Sequence, residues 1–383
     1  MSEWPTVKLG EVAEQTNRRV GELDVPIYSV TKYDGFVPSS EYFKKRVFSM
    51  DIRKYKLCTA GDFAYATIHL DEGSIGISPV KCGISPMYTT FRLNSLNISP
   101  DYLLRYLKSS RALTQYLTLG SGSAERRKSI RFTDLRKMEI PLPPLGEQKR
   151  IAEILGKTTG AISSVQKQIE QAKKLRSSIV GMASKMAVEL RAISEYFDIN
   201  PRQPRNIPDN APTSFVPMAN LDETFGISPI ASRFSEHKKG YTYFENGDIL
   251  LAKITPCFEN GKSAIAKLST QIGHGSTEFH VLRHKNHMHQ DACLSPLLAA
   301  AILKQPSFLK PAENFMRGSA GQKRIPVSYI ASLKVPVLKS VDLEKIDQSL
   351  EIVEALLNLY HRKLSLLQEL QKSLATRAFA GLL

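Results

Sequence analysis

The sequence predicts an α+β protein with two globular halves and a long antiparallel coiled coil, related by a pseudo-twofold internal repeat. Three observations carry this: two long helical stretches with superimposable apolar seams, a globular segment ahead of each, and the same order of strand and turn signals in both segments. In the first seam apolar or small residues fall at Ile151, Leu155, Thr158, Ile162, Val165, Ile169, Ala172, Leu175 and Ile179. In the second they fall at Ile346, Leu350, Val353, Leu357, Tyr360, Leu364, Leu367, Leu370 and Leu374, each 195 residues after its counterpart. Steps of three and four place them on one narrow stripe, so the helices want to pair lengthwise. With a globular segment of about 150 residues before each helix, an antiparallel pair with one globule at each end is the simplest arrangement. At ~1.5 Å per residue, a helix of about 30 to 36 residues spans roughly 45 to 54 Å.

Each half opens with a short amphipathic element, Val7 to Glu14 and Glu189 to Glu195. Strand-prone runs follow at Ile27 to Val30 and Phe215 to Met218, punctuated by Gly, Pro, Asp and Ser. A Gly-Asp step then starts an apolar strand in both halves, Gly61-Asp62-Phe63-Ala64-Tyr65-Ala66 and Gly247-Asp248-Ile249-Leu250-Leu251-Ala252. Further on stand Phe91-Arg92-Leu93 and Phe279-His280-Val281-Leu282, then Leu- and Tyr-rich helices at 100–117 and 295–304. Each half therefore reads as α+β with a mostly antiparallel, curved sheet. Before each long helix lies a loop of small residues with basic and polar side chains: Gly120 to Ile130, including Ser123, Arg126, Arg127 and Lys128, and Gly318 to Ile325, including Gln322, Lys323 and Arg324. Small residues let backbone approach a phosphate, and Arg or Lys then reaches the phosphate or a guanine edge.

The formal charge of +15 favours a polyanionic partner. Residues 1–146 carry 21 Lys and Arg against 15 Asp and Glu, and residues 191–341 carry 18 against 12, so the two globules hold equal surpluses. The globules are expected to face the anion while the helices set their distance. Cys58, Cys82, Cys257 and Cys293 lack zinc or redox spacing, which fits a reduced compartment. The start Met1-Ser2-Glu3-Trp4-Pro5 lacks the regions of a signal peptide and no long apolar run occurs, so a soluble, cytoplasmic protein without membrane contact is expected.

A search for catalytic chemistry finds none. Gly261-Lys262-Ser263 resembles the end of a phosphate-binding loop, but Pro256 occupies the place of its first glycine. Gly120 and Gly122 lack the third glycine of a dinucleotide-binding turn. His284, His287 and His289 sit in a polar linker without matched cysteines. The chain is expected to hold no metal, no cofactor and no catalytic residue.

The run Ile140-Pro141-Leu142-Pro143-Pro144-Leu145-Gly146-Glu147-Gln148-Lys149-Arg150-Ile151-Ala152-Glu153-Ile154-Leu155 resembles the junction between recognition domain and conserved helix in specificity subunits of type I restriction-modification systems. Tyr28 to Gly35 with Tyr42 to Arg46, Ala252 to Lys262, and Ser373 to Gly381 are similar to that family as well. The second junction, Val335 to Ile346, lacks the double proline and the Glu-Gln pair.

The resemblance implies target-recognition domains at 1–146 and 189–341, a central conserved helix at 147–188 and a C-terminal conserved helix at 342–383. It implies that each domain reads one half of a bipartite double-stranded DNA target and that the helices rule off the spacer. Two methyltransferase subunits using S-adenosylmethionine and restriction subunits using ATP and Mg are the implied partners. Candidate DNA contacts are Lys44, Lys45, Arg46, Lys238, Lys239, Lys253 and Lys262 with the two loops; the candidate partner surface is Pro143, Pro144, Glu147, Gln148 and Arg150. Two other readings remain open from the residues alone, a stand-alone DNA-binding regulator and a nucleic-acid enzyme with an unfamiliar site.

Overall fold

The computed structural model describes residues 4–32, 35–43, 49–68, 70, 72–119, 129–221, 227–237, 239–285, 292–319 and 321–383. The chain divides into two compact units, Met1–Ser163 with Ser365–Leu383, and Ser164–Leu364. Each long helix is therefore shared between them.

The first half runs β1 (Thr6–Lys8), α1 (Leu9–Val12), β2 (Ala13–Thr16), β3 (Ile27–Thr31), β4 (Gly35–Pro38), α2 (Ser39–Tyr42), β5 (Lys56–Cys58), β6 (Phe63–Ala66), β7 (Ile75–Ile77), β8 (Cys82–Ile84), β9 (Tyr88–Leu93), α3 (Pro100–Leu107), α4 (Ser110–Leu119), α5 (Phe132–Leu135), β10 (Glu139–Pro141) and the long α6 (Leu145–Met186). The second repeats that order: β11 (Glu189–Ala192), α7 (Ile193–Tyr196), β12 (Phe197–Ile199), β13 (Pro212–Val216), β14 (Ile230–Arg233), α8 (Phe234–His237), β15 (Thr242–Glu245), β16 (Ile249–Ala252), β17 (Ser263–Ile265), β18 (Ile272–Gly275), β19 (Phe279–His284), α9 (Pro296–Leu303), α10 (Pro306–Ala312), α11 (Val327–Ala331), β20 (Lys334–Val337) and the long α12 (Ser340–Phe379).

Sheet topology repeats as strictly. The first unit has sheets β1-β10, β2-β9-β6-β7 and β4-β3-β8-β5; the second has β11-β20, β12-β19-β16-β17 and β14-β13-β18-β15. The parallel pairs are β3 with β8 and β13 with β18; the other ladders are antiparallel. Instead of the single curved sheet expected, each half thus spreads its strands over three. The strands are three to six residues long, and the Gly-, Pro- and Asp-rich turns between them redirect the chain before one wide sheet can grow. The predicted helix at 100–117 is also two: it breaks after Leu107, and the Ser109 hydroxyl caps the restart by accepting from Ala112 N at 3.3 Å.

In the first unit the core closes on the end of α12. Phe379 meets Tyr102 and Tyr106 edge-on at 5.7 and 5.2 Å, and Arg111 Nη1 donates to its carbonyl at 2.7 Å. The tyrosine hydroxyls remain satisfied inside, donating to Pro141 O and Glu139 O at 2.7 and 2.8 Å. In the second unit α9 is buried from Leu298 to Leu303, which its Leu-Leu-Ala-Ala-Ala-Ile-Leu composition requires.

The helices pair antiparallel. In the first unit Arg150 reaches the Leu383 carbonyl at 3.0 Å and Gln371 reaches Thr159 Oγ1 at 2.8 Å, so advancing along α6 means receding along α12. The seam holds through Ile151, Leu155, Val165, Ile169, Ile346, Leu350, Val353 and Leu357, all buried. It departs from expectation at two equivalent places: Leu175 and Leu370 are 49% and 48% exposed, and Arg176 and Gln371 turn inward instead. A strict 3.5-residue repeat drifts about 20° per heptad against a helix of 3.6, so after three heptads the inward place passes to the next residue. Among the described residues, no helix is long and apolar enough to cross a membrane.

Candidate nucleic-acid interface

The second unit builds its basic site from three segments. Arg317 and Arg324 exchange backbone hydrogen bonds at 3.0 and 2.8 Å and close a tight hairpin. Gly318 is required there: its φ is +131°, and a Cβ would stand 2.6 Å from Gln322 O. The hairpin is laid against the residues that follow β16, with Thr255 N donating to Lys323 O and Ile325 N to Lys253 O, both at 2.9 Å. Ala252 N donates to Lys262 O at 2.9 Å, so Lys262 returns beside Lys253. The structure thus gathers Lys253, Lys262, Gln322, Lys323 and Arg324, which lie far apart in sequence.

Their roles are not equal. Gln322 and Lys323 are exposed, whereas Arg324 grips Glu278 with Nε and Nη2 at 2.9 and 2.7 Å. That grip holds the Glu278 carboxyl below its usual range and fixes the guanidinium in place. Arg317, at the hairpin's other foot, is exposed and was not singled out from sequence; its place directly before the small-residue run is the only signal. Lys239 is exposed in the turn between α8 and β15, on the other four-stranded sheet. Lys44, Lys45, Arg46, Ser123, Arg126, Arg127, Lys128 and Lys238 lie outside the described residues. The stretch that resembles a phosphate-binding loop is the β16–β17 connection, folded over buried Phe258.

The first unit repeats the anchor. Ile130 N, where its own basic loop ends, donates to Thr67 O at 2.9 Å, just after β6, as Ile325 N does to Lys253 O after β16. The four-stranded sheets that carry β6 and β16 are braced beneath by the Gly-Asp step. Asp62, 1% exposed, accepts from Arg92 Nη2 at 2.9 Å, from Arg18 Nη2 at 2.6 Å and from Thr59 N at 2.7 Å. Asp248, 3% exposed, accepts from Arg283 Nη2 at 2.8 Å and from Glu245 N at 2.7 Å. Arg92 and Arg283 hold the same place in β9 and β19; sequence alone marked the aspartates as strand starts and missed the arginines.

At the β10–α6 junction, Pro143 and Gln148 are buried. Gln148 Oε1 accepts from Ser99 N at 2.7 Å, and its Nε2 donates to Asn97 O and Pro143 O, each at 2.8 Å. Its amide is engaged inside the domain, so of the five candidate partner residues only exposed Pro144 and Arg150 and half-buried Glu147 reach the surface. Arg150 grips Glu147 through two 2.8 Å hydrogen bonds, which lowers the carboxyl's pKa.

Residues 1–174 match the family model described as the type I restriction modification DNA specificity domain. This part of the chain is such a domain. It bears the first basic loop, the first Asp–Arg brace and the opening of α6. The specificity domain is similar to the EcoEI type I restriction enzyme specificity subunit of Escherichia coli, 41% identical over 147 residues, which is 38% of this chain and 24% of that protein. The EcoAI specificity subunit of the same species is 37% identical over 161 residues, 41% of this chain and 26% of that protein. The matched stretch thus spans about a quarter of the length of these two relatives. In fold the likeness extends beyond the specificity domain. A crystal structure of the S subunit of a type I restriction-modification system from M. genitalium superposes with a TM-score of 0.59 at 15% identity, covering 98% of this chain and 96% of that one.

Proposed function

We propose that this chain is the DNA sequence-specificity subunit of a type I restriction-modification complex, each half reading one part of a bipartite duplex target. The observation that carries the reading is the duplication itself. Each half presents a small-residue basic loop whose end is anchored after the corresponding strand, β6 or β16, and the first half is a specificity domain. One reader binds one half-site, and two readers on paired helices bind a split site with a set spacer.

Lysine and arginine contacts to phosphate would position each domain, and polar side chains of the loops would read base edges in the major groove. In the second half Lys253, Lys262, Lys323 and Arg317 suit the first task and Gln322 the second; Arg324 shapes the hairpin through Glu278. Pro144, Glu147 and Arg150 offer the surface for a methyltransferase subunit. In this reading the chain supplies no catalytic group. Two methyltransferase subunits would bring S-adenosylmethionine, and restriction subunits ATP and Mg. Work on DNA by such a complex belongs in the cytoplasm.

The deciding experiment is co-purification with a type I methyltransferase subunit, followed by single-molecule sequencing of DNA methylated in cells expressing both. Methylation confined to one split motif of fixed spacing, and lost without this chain, is the expected result. Tight sequence-specific binding with no partner and no methylation would instead make it a regulator, and turnover by the purified chain would make it an enzyme.

A further inference from the structure

Ile130 and Ile325 end the two basic loops, and both are buried, at 3% and 1% exposure. Their backbone N–H groups are satisfied identically, by Thr67 O and Lys253 O. Their carbonyls are not. Ile130 O accepts from the Tyr65 hydroxyl at 3.1 Å, whereas Ile325 O stands 2.9 Å from His280 Nε2. Tyr65 and His280 are not equivalent residues: Tyr65 on β6 faces Thr89 across the ladder, and Leu251 on β16 faces His280. The donor has crossed from one strand to its neighbour, yet reaches the same carbonyl. The bond recurs in both halves although a different residue makes it.

The histidine's protonation follows from its partners. A carbonyl only accepts, so Nε2 carries the proton towards Ile325. Nδ1 must then accept, and Asn200 Nδ2 lies 3.2 Å from it. The amide cannot be reversed without loss, because Asn200 Oδ1 accepts from Val281 N at 3.0 Å. Glu278 and Lys253 face the ring with opposite charges, and burial keeps it neutral.

We propose that His280 is the positioning residue of the hairpin in the second half, and that Tyr65 does the same for the first half at Ile130, where its basic sequence ends, each setting base discrimination at one half-site only. This rests on the reading of the chain as a specificity subunit. The bond lies directly beyond Arg324 and Lys323, so its loss frees the foot of the hairpin while Arg317, Gln322 and Lys323 remain present. Contacts to phosphate tolerate such a shift; contacts to base edges, which need a fixed donor geometry, do not.

The test uses the full chain in complex with its methyltransferase, scoring methylation of DNA substrates with a single-base change in one half-site or the other. His280→Phe keeps a ring and removes the donor; Tyr65→Phe removes one oxygen; His280→Gln returns an amide N–H towards Ile325. His280→Phe is expected to reduce discrimination at one half-site about tenfold, the scale of one buried hydrogen bond, and leave the other unchanged. Tyr65→Phe is expected to do the reverse, and His280→Gln to restore most of the loss. Equal losses at both half-sites, or unchanged discrimination by assembled Tyr65→Phe complex, would overturn the inference. A wild-type complex with no bipartite preference would instead refute the specificity-subunit reading itself.

Discussion

Arg176 and Glu354 form a buried ion pair between α6 and α12, with Nη1 and Oε1 3.4 Å apart and each residue under 10% exposed. The repeat maps this pair onto Gln371 and Thr159, which hydrogen-bond at 2.8 Å. The contact at this place in the repeat is ionic in one copy and neutral in the other. Burial pushes the Glu354 carboxyl up, against the opposing pull of Arg176 and Lys304.

Removing one partner of this pair is therefore expected to cost far more than removing both. Arg176→Met leaves the buried Glu354 carboxylate with Lys304 alone to oppose its desolvation and is expected to lose about 3 kcal/mol, whereas Arg176→Met with Glu354→Leu is expected to stay within about 1 to 2 kcal/mol of wild type. Denaturant unfolding of the full chain and both variants measures this directly; additive losses would contradict it.

The Asp–Arg braces predict a second asymmetry. Asp62→Asn weakens two guanidinium contacts whose side chains are 40% and 39% exposed, while Asp248→Asn acts on Arg283 at 23%. Solvent screening discounts the first more, so a loss of about 1 to 2 kcal/mol is expected for Asp62→Asn and about 2 to 3 for Asp248→Asn. Hydrogen exchange should show each loss confined to its own four-stranded sheet, β2-β9-β6-β7 or β12-β19-β16-β17.

How much of this was legible beforehand depended on the range of the signal. The seam from Ile151 to Ile169 is local periodicity, and it was readable; the slip at Leu175 was not, because it accumulates only over several turns. The Gly-Asp steps were visible as strand starts, but Arg92 lies thirty residues beyond Asp62 and only the β6–β9 ladder joins them. Lys253 and Lys323 were each candidates, and the hydrogen bonds between their segments had no sequence signature. Gln148, legible as part of a junction motif, is an internal strut.

That last position gives a clean separation of roles. Gln148→Ala leaves Ser99 N without its acceptor and is expected to cost about 2 kcal/mol. Arg150→Ala breaks an exposed, solvent-screened pair and is expected to leave the unfolding midpoint unchanged, yet to weaken capture of the methyltransferase in a pull-down. Undiminished capture by Arg150→Ala with Pro144→Ala would remove this surface from consideration.

The second unit also carries an acid-sensitive core group. His274 is fully buried, and burial, with His237 beside it, pushes its pKa down to about 4. Its Nε2 donates to Gln203 Oε1 at 3.3 Å, Nδ1 stands 3.0 Å from Thr213 Oγ1, and Tyr243 packs at 5.6 Å. A histidine near 6.5 when unfolded and about 4 when folded contributes stability that is complete above pH 6.5 and lost as pH falls towards 4. The loss is bounded at about 3 kcal/mol. Unfolding midpoints measured from pH 7 to 4.5 should fall, and His274→Leu should flatten that slope.

Helix phase gives the sharpest test of the ruler. Four residues inserted near Gln166 in α6, or near His361 in α12, add about 6 Å and turn the following stripe by roughly 40° beyond a full turn. A local stutter absorbs that much, so the seam re-forms and the preferred spacer is expected to shift by one or two base pairs while both half-site sequences stay the same. Three residues turn the stripe about 60° the other way. In α6 that swings Ile169 and Ala172 off the partner helix, and this insertion is expected to lose stability without acquiring a new spacer. Sequencing of methylated DNA resolves both outcomes; altered half-site bases at unchanged spacing would show that the helices do not measure the gap.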